Sequence, residues 1–382
     1  MRVLILTTNT GSGHNSAAKA LFDAFEKEGD YVEVKNFLLF ASERHDKFTC
    51  ELYKDSVKYI PYIFGGIYKL GEVLDKIQRG AHSIVYGLSL RGSTNLNKYC
   101  IENKFDLVLS VHYFGCFQLS YANNKYGPVP YIRVGLMTDY SRNPFLKEAD
   151  LDSFIIPHQE CLEDFHEKYM RTKRVEAIGI PTREQFKHYK SKSEAKRLLN
   201  LDETKRYILV MAGGMGSKKS IKAVSHVLKE IKDLDDVCIN LICSNNKSVI
   251  KTALRKFKNN PKVNVIDFTE DVNTYIDASE VYVSKGGGSS STEAQVAHVP
   301  FIVTMPIPGL EKYNGRLFNK LGTAIYAPKL HDAAKKTREL LDNEEMRNEM
   351  IENQKKHINP YAAEDTVKYC HKLYDEKMNN NK

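Results

Sequence analysis

The 382-residue chain contains no tryptophan, and no apolar run in it approaches the ~18 residues of a membrane-spanning helix. Its opening, MRVLILTTNTGSGH, turns polar and glycine-rich after a few apolar residues, too soon for a secretory signal. Cysteine is sparse and unpatterned. The seven thiols, at 50, 100, 116, 161, 238, 243 and 370, include no C-x-x-C pair, and no histidine cluster has zinc-ligand spacing. That reads as reduced thiols, mostly small core groups, in a cytosolic protein. Neither sign of charge dominates. The 56 Lys+Arg against 48 Asp+Glu leave +8, compatible with an anionic surface or a phosphate-bearing ligand and too little to imply a nucleic-acid binder. What is present is ordinary globular composition, 42% hydrophobic and 27% charged, with 22 Tyr and 17 Phe supplying aromatic packing. At ~150 residues per domain, two domains are expected.

The apolar pattern shows how they are built. Val3-Leu4-Ile5-Leu6 is a continuous apolar run, the mark of a strand covered on both faces of a parallel sheet. Gly11-Ser12-Gly13 follows, then a helical pattern over Asn15 to Glu28 with Ala17, Ala18, Leu21, Ala24 and Phe25 on one face. Strand, glycine loop and helix open a doubly wound domain. Further strands are expected at 32–34, 107–111, 131–137 and 153–157. A turn at Gly179-Ile180-Pro181 and a polar, Lys-rich stretch then separate this half from a second one. There the pattern restarts with Tyr207 to Met211, the loop Ala212-Gly213-Gly214-Met215-Gly216 and a helix from Ser220. Strands at 237–243, 263–266, 280–284 and 300–305 and helices at 248–258 and 291–299 complete it. The reading is α/β, with an N-terminal domain over 1–180, a linker over 181–199 and a C-terminal domain over 200–360.

One stretch departs from this pattern. Between Phe48 and Arg91 no strand signal appears, and Tyr59, Tyr62, Phe64 and Tyr68 alternate with basic residues that include Lys58 and Lys69. The stretch reads either as a helical excursion packed on its domain or as a surface that dips into a bilayer, aromatics inward and ammonium groups at phosphate level.

Three glycine-rich loops carry the sharpest chemical signals. Gly11-Ser12-Gly13-His14 precedes a helix, so backbone N–H groups and the helix dipole could face an anion there. Ser16 stands where a Rossmann fingerprint wants its third glycine, no Gly-Lys-Ser/Thr follows, and Glu33 lies inside the second strand rather than after it. A dehydrogenase and a P-loop enzyme are therefore disfavoured. The second loop is Gly213 to Gly216, and the third runs Lys285-Gly286-Gly287-Gly288-Ser289-Ser290-Ser291-Thr292-Glu293. Three consecutive glycines cost chain entropy and make sense where backbone approaches a ligand closely. Ser289 to Thr292 could cap the next helix, and Glu293 is placed either to accept from paired hydroxyls such as a ribose or to complement the helix dipole. His14, at the carboxyl end of the first strand, suits removal of a proton from an alcohol near neutral pH. His112, also at a strand end, is a second candidate. Asp139 could orient His14, bind an acceptor or cap a turn.

Taken in order along the chain, these motifs resemble the diacylglycerol glycosyltransferases of glycosyltransferase family twenty-eight, which include the monogalactosyldiacylglycerol synthases and the processive diacylglycerol glucosyltransferases. The matching residues are Gly11 to His14 with Ala17-Ala18, Thr138-Asp139, Gly179 to Phe186, Met211 to Gly214, Ser284 to Ala294 and Pro308 to Asn314. The resemblance implies a GT-B fold, two Rossmann-like domains with a UDP-sugar in the cleft between them. It implies that His14 is the general base of an inverting transfer to diacylglycerol or a related lipid, with Asp139 beside it. Gly13, Arg183, Gly213, Gly214, Phe268, Gly286, Gly287, Gly288, Ser289, Glu293, Glu311 and Asn314 would hold the donor, Glu293 on the ribose and Phe268 beside the uracil. His112 and the aromatic-basic stretch would serve acceptor and membrane. The resemblance implies neither metal nor cofactor, the UDP-sugar being a substrate. The C-terminal helix, 362–378, is expected to pack back on the first domain. Leu310 stands where the family usually has a glutamine that contacts donor-sugar hydroxyls, a bond leucine cannot make. The expected location is the cytoplasmic face of the cell membrane, held peripherally. A UDP-sugar epimerase or non-lipid transferase of the same fold, or a UDP-sugar binder without turnover, are the alternatives.

Overall fold

The computed structural model describes residues 1–9, 12–44, 46–47, 51, 84–141, 144–165, 170–172, 174–211, 213, 217–306 and 310–380. They form two compact units, one built mainly from Met1–Arg183 with Pro360–Lys382, the other from Glu184–Ile307 with Glu311–Asn359.

The first unit is a six-stranded parallel sheet of β1 (Arg2–Thr7), β2 (Tyr31–Asn36), β3 (Leu107–Ser110), β4 (Ile132–Leu136), β5 (Ser153–Ile156) and β6 (Val175–Ala177), in the order β2-β1-β3-β4-β5-β6. Val3 to Leu6 are fully buried, as their unbroken apolar run requires once helices cover both faces. Parallel pairing sets Ile5 opposite Leu109 and Leu109 opposite Val134. Helix α1 (Ser12–Lys27) buries Ala17, Ala18, Leu21, Ala24 and Phe25 against the sheet and ends near Gly29, whose φ of 83° suits glycine. It starts three residues earlier than the apolar pattern indicates, so Gly13 and His14 belong to its first turn. Helices α2 (Ile84–Ser89), α3 (Ser93–Glu102) and α4 (Tyr113–Tyr126) follow. Apart from Glu51 and residues 84–91, the aromatic-basic stretch, with Lys58, Tyr59, Tyr62, Phe64, Tyr68 and Lys69, lies outside the described residues.

The second unit repeats the plan with β7 (Arg206–Met211), β8 (Val237–Ile242), β9 (Val263–Ile266), β10 (Val281–Ser284), β11 (Phe301–Val303) and β12 (Ile325–Tyr326), ordered β12-β11-β10-β7-β8-β9. Its helices are α5 (Lys192–Leu198), α6 (Lys218–Glu230), α7 (Lys247–Phe257), α8 (Val272–Asp277), α9 (Gly288–Val296), α10 (Leu310–Lys320), α11 (Leu330–Asp342) and α12 (Glu344–His357). Ile208, Val210, Ile239, Leu241, Val281 and Val283 form the sheet's share of its core. The polar stretch 181–199 holds a short helical turn at Glu184–Phe186 and then α5, both in contact with other helices of this unit. Strands β6 and β12 escaped the sequence pattern because three and two residues are too few to show a period.

The last helix, α13 (Ala362–Asn380), belongs to the first unit. Ala363, Val367, Cys370 and Leu373 pack with the buried face of α1, and polar bonds add to the apolar contact. The Tyr369 hydroxyl lies 2.7 Å from Ser153 Oγ and accepts from Arg174 Nε at 3.0 Å, while Arg174 pairs with Glu376 at 2.6 Å. Tyr369→Phe keeps the ring and removes both hydroxyl bonds, so it should lower stability by about 1 kcal/mol. Urea unfolding checks this, with the midpoint falling and the slope unchanged.

Candidate active site

In a parallel sheet, ligands bind beyond the carboxyl ends of the strands, at the point where strand order reverses. In the first unit the reversal falls between β1 and β3; in the second it falls between β7 and β10. His14 follows β1 and His112 follows β3. Gly213 follows β7, and Lys285-Gly286-Gly287 follows β10. Residues far apart in sequence are thus brought to one edge of each sheet.

His14 is held by oxygen atoms. Its Nδ1 lies 2.9 Å from the Val111 carbonyl and 3.1 Å from Thr138 Oγ1. A carbonyl can only accept, so Nδ1 carries the proton of the neutral ring and the Nε2 lone pair is the basic site. Burial, partly offset by the Val111 carbonyl, brings the His14 pKa down from 6.5 to about 4. The ring is therefore neutral at pH 7. His112 caps α4, its Nδ1 accepting from the Phe114 N–H at 3.1 Å, which places its own neutral-ring proton on Nε2. The two imidazoles meet edge to face with centroids 4.7 Å apart. Burial and the neighbouring His14 push the His112 pKa well below its ordinary value. Val111 and Thr138 supply the contacts that orient His14, and half-buried Asp139 comes directly after Thr138 at the end of β4. Val111 escaped the sequence reading because its contribution is a backbone carbonyl; Thr138 was visible only as the neighbour of Asp139.

In the second unit, Gly213 has φ 72°, and a Cβ there would lie 2.4 Å from Lys285 Cε. The close approach that this glycine permits within the described residues is by a lysine stem. A Cβ on Gly286 would sit 2.8 Å from the Glu311 carbonyl and 2.9 Å from a Val303 methyl, so that glycine admits the start of α10. Ser244, after β8, takes φ 56° and donates to the Gly213 carbonyl at 2.9 Å. Lys285 Nζ pairs with Glu311 Oε1 at 2.5 Å, and fully buried Asn314 donates to the Gly286 carbonyl at 2.8 Å.

The glycine loop is shorter than its sequence indicates. Helix α9 begins at Gly288 with Gly287 as its N-cap and no side-chain cap, so Ser289 to Thr292 lie within the helix instead of capping it. Ser289 and Glu293 are buried, and Glu293 is the sixth residue of α9, beyond the first turn where the helix dipole acts. Phe268, in the loop after β9, is 56% exposed, and Arg183 is half-buried at the end of the main segment of the first unit. Gly214 lies outside the described residues.

Residues 14–182 match the model of the monogalactosyldiacylglycerol (MGDG) synthase family, and residues 172–357 match that of the glycosyl transferases group 1. The chain is 27% identical to a processive diacylglycerol beta-glucosyltransferase of Bacillus pumilus over 98% of this chain and 97% of that one. It is 27% identical to a Bacillus subtilis protein of the same name over 92% of this chain and 90% of that one. Along nearly its whole length this chain is similar to the diacylglycerol glycosyltransferases, and it is a glycosyltransferase. Solved structures agree on the fold of this glycosyltransferase. MurG of Acinetobacter baumannii superposes with TM-score 0.64 at 14% identity, covering 97% of this chain and 99% of that one. An S. aureus MnaA–UDP structure gives TM-score 0.61 at 14% identity, covering 96% and 95%. The architecture is GT-B.

The state of His14 is directly measurable. A folded pKa below the unfolded value means the unfolded chain binds the proton first. The contribution of His14 to stability is therefore complete above pH 6.5 and is lost as pH falls toward 4. Nitrogen-detected NMR of the glycosyltransferase should show a neutral, Nδ1-protonated His14 ring at pH 5.5. A midpoint near 6.5 would contradict the assignment.

Proposed function

We propose that this glycosyltransferase is an inverting hexosyltransferase that moves a hexose from UDP-glucose or UDP-galactose to diacylglycerol or a related membrane lipid. The observation that carries the reading is the His14 imidazole, neutral and Nδ1-protonated at the switch point of the unit that matches the MGDG synthase family. The names of the relatives that align over nearly the whole chain favour a diacylglycerol acceptor and glucose. The UDP bound in a structure of the same fold favours a uridine nucleotide donor.

In this reading His14 Nε2 takes the proton of the acceptor hydroxyl as its oxygen attacks the anomeric carbon. The bond from that carbon to the diphosphate oxygen breaks on the opposite face, and the electron pair leaves with UDP. Backbone N–H groups of the loops after β7 and β10, with the start of α9, meet the developing diphosphate charge. That charge also favours the imidazolium that His14 becomes, offsetting the desolvation that holds its pKa low. Glu293 accepts from the ribose, Phe268 lies beside the uracil, and Arg183, Glu311 and Asn314 serve the donor. No metal or further cofactor is needed in this scheme. Asp139 and His112 belong to the acceptor side. Residues 48–91, with Lys58, Tyr59, Tyr62, Phe64, Tyr68 and Lys69, dock on the anionic cytoplasmic leaflet, each basic residue near it contributing ~1 kcal/mol.

A putative UDP-N-acetylglucosamine 2-epimerase from Listeria monocytogenes shares the fold with TM-score 0.62 at 14% identity, which keeps an epimerase as the second reading. Turnover in mixed micelles separates the two. Release of UDP only when UDP-hexose and diacylglycerol are both present supports the transferase; conversion of a UDP-sugar without acceptor supports the epimerase. Within the transferase reading, His14→Ala should cut kcat by ~10²–10⁴-fold while UDP still binds. Near-normal turnover would remove His14 as the base.

A further inference from the structure

At the second unit's switch point the donor reading gives a task to Glu311 and none to Lys285, its partner in a largely buried ion pair. The pair joins three segments: the turn after β10, the first turn of α10 and the loop after β7. The Lys285 stem passes so close to Gly213 that a Cβ there would lie 2.4 Å from Cε. Its ammonium then meets Glu311 Oε1 at 2.5 Å, with the two side chains only 18% and 9% exposed. A Cβ on Gly287, the N-cap of α9, would come within 3.7 Å of the Glu311 carboxylate and 3.8 Å of the ammonium. The pair therefore lies across the helix start that is assigned to the donor diphosphate. A buried pair of this kind adds little net stability over apolar neighbours, while loss of one partner strands the other charge. Placed at the switch point, its effect is geometric. It fixes the carboxylate and ties α10 to both glycine loops, and Asn314 repeats the tie through the Gly286 carbonyl at 2.8 Å.

We propose that Lys285 is a positioning residue of the donor site, holding the Glu311 carboxylate where it accepts from hydroxyls of the transferred hexose. The inference rests on the donor reading above. It assigns sugar recognition to a carboxylate fixed by a lysine, in a chain whose residue 310 is leucine and so has no hydrogen-bonding side chain of its own. Recognition of the nucleotide is left to other groups.

Calorimetry with UDP and with UDP-glucose or UDP-galactose, alongside steady-state kinetics of the full chain, tests it. Wild type should bind UDP; if it does not, the donor reading itself fails, independently of Lys285. Given UDP binding, Lys285→Met and Glu311→Gln should each raise KM for the UDP-hexose about tenfold, with UDP affinity within twofold of wild type. The double variant should be no worse than either single one, because both remove the same interaction. Lys285→Arg, which keeps the charge, should recover part of the loss. If Lys285→Met instead weakens UDP as much as UDP-hexose while Glu311→Gln does not, Lys285 contacts the diphosphate and the proposal is wrong. Additive losses in the double variant, or unchanged KM in both single variants, would also overturn it. Should Lys285→Met not fold, the isosteric Glu311→Gln and the charge-keeping Lys285→Arg still decide between sugar-specific and nucleotide-wide effects.

Discussion

Parallel strands cannot be joined by tight turns, so each needs a crossover. Where crossovers leave a sheet in opposite directions, the carboxyl ends of the two central strands are left without a connection passing over them. Both units of this chain are organised around such a point, between β1 and β3 and between β7 and β10. The buried apolar runs of those strands hold the backbone that ends there. Residues 14, 111 and 112, beyond the strand ends of one unit, and 213 and 285–287 in the other inherit their neighbours from this geometry. A change that shifted either central strand would move all of them together.

Electrostatics at the two points work in opposite ways. At the first, burial keeps an imidazole neutral while a carbonyl acceptor fixes which nitrogen carries its proton, which is the state a proton acceptor needs before reaction. At the second, a lysine and a glutamate are both retained as charges because each is the other's partner. The first site keeps a neutral imidazole by excluding charge; the second gains fixed geometry by pairing it. His112 adds a ring whose tautomer is the reverse of that of His14, set by the Phe114 amide.

The order of strands, glycine loops and helices was legible from apolar runs and their punctuation, and the ordered motifs pointed to the family. Less legible were features whose signal is short or lies in the backbone. Strands β6 and β12 carry too few residues to show a period, and the Val111 carbonyl has no side-chain signature. Helix α9 absorbs Gly288 to Ser290 with a glycine at its N-cap, where a sequence rule looks for a hydroxyl.

By itself, the sequence determined the class of fold, the doubled plan and the residue types able to move a proton or face a phosphate, since these follow from local pattern and side-chain chemistry. Only the tertiary structure decided which of them meet. Gly213 is shaped around Lys285 seventy-two positions away, and Glu311 is bound by that same lysine across 26 positions. His14 is oriented by Val111 and Thr138, not by a neighbour in the chain. Contacts of that kind depend on which strand ends lie side by side, and strand order is set by the packing of whole crossovers and leaves no mark in any short window of sequence.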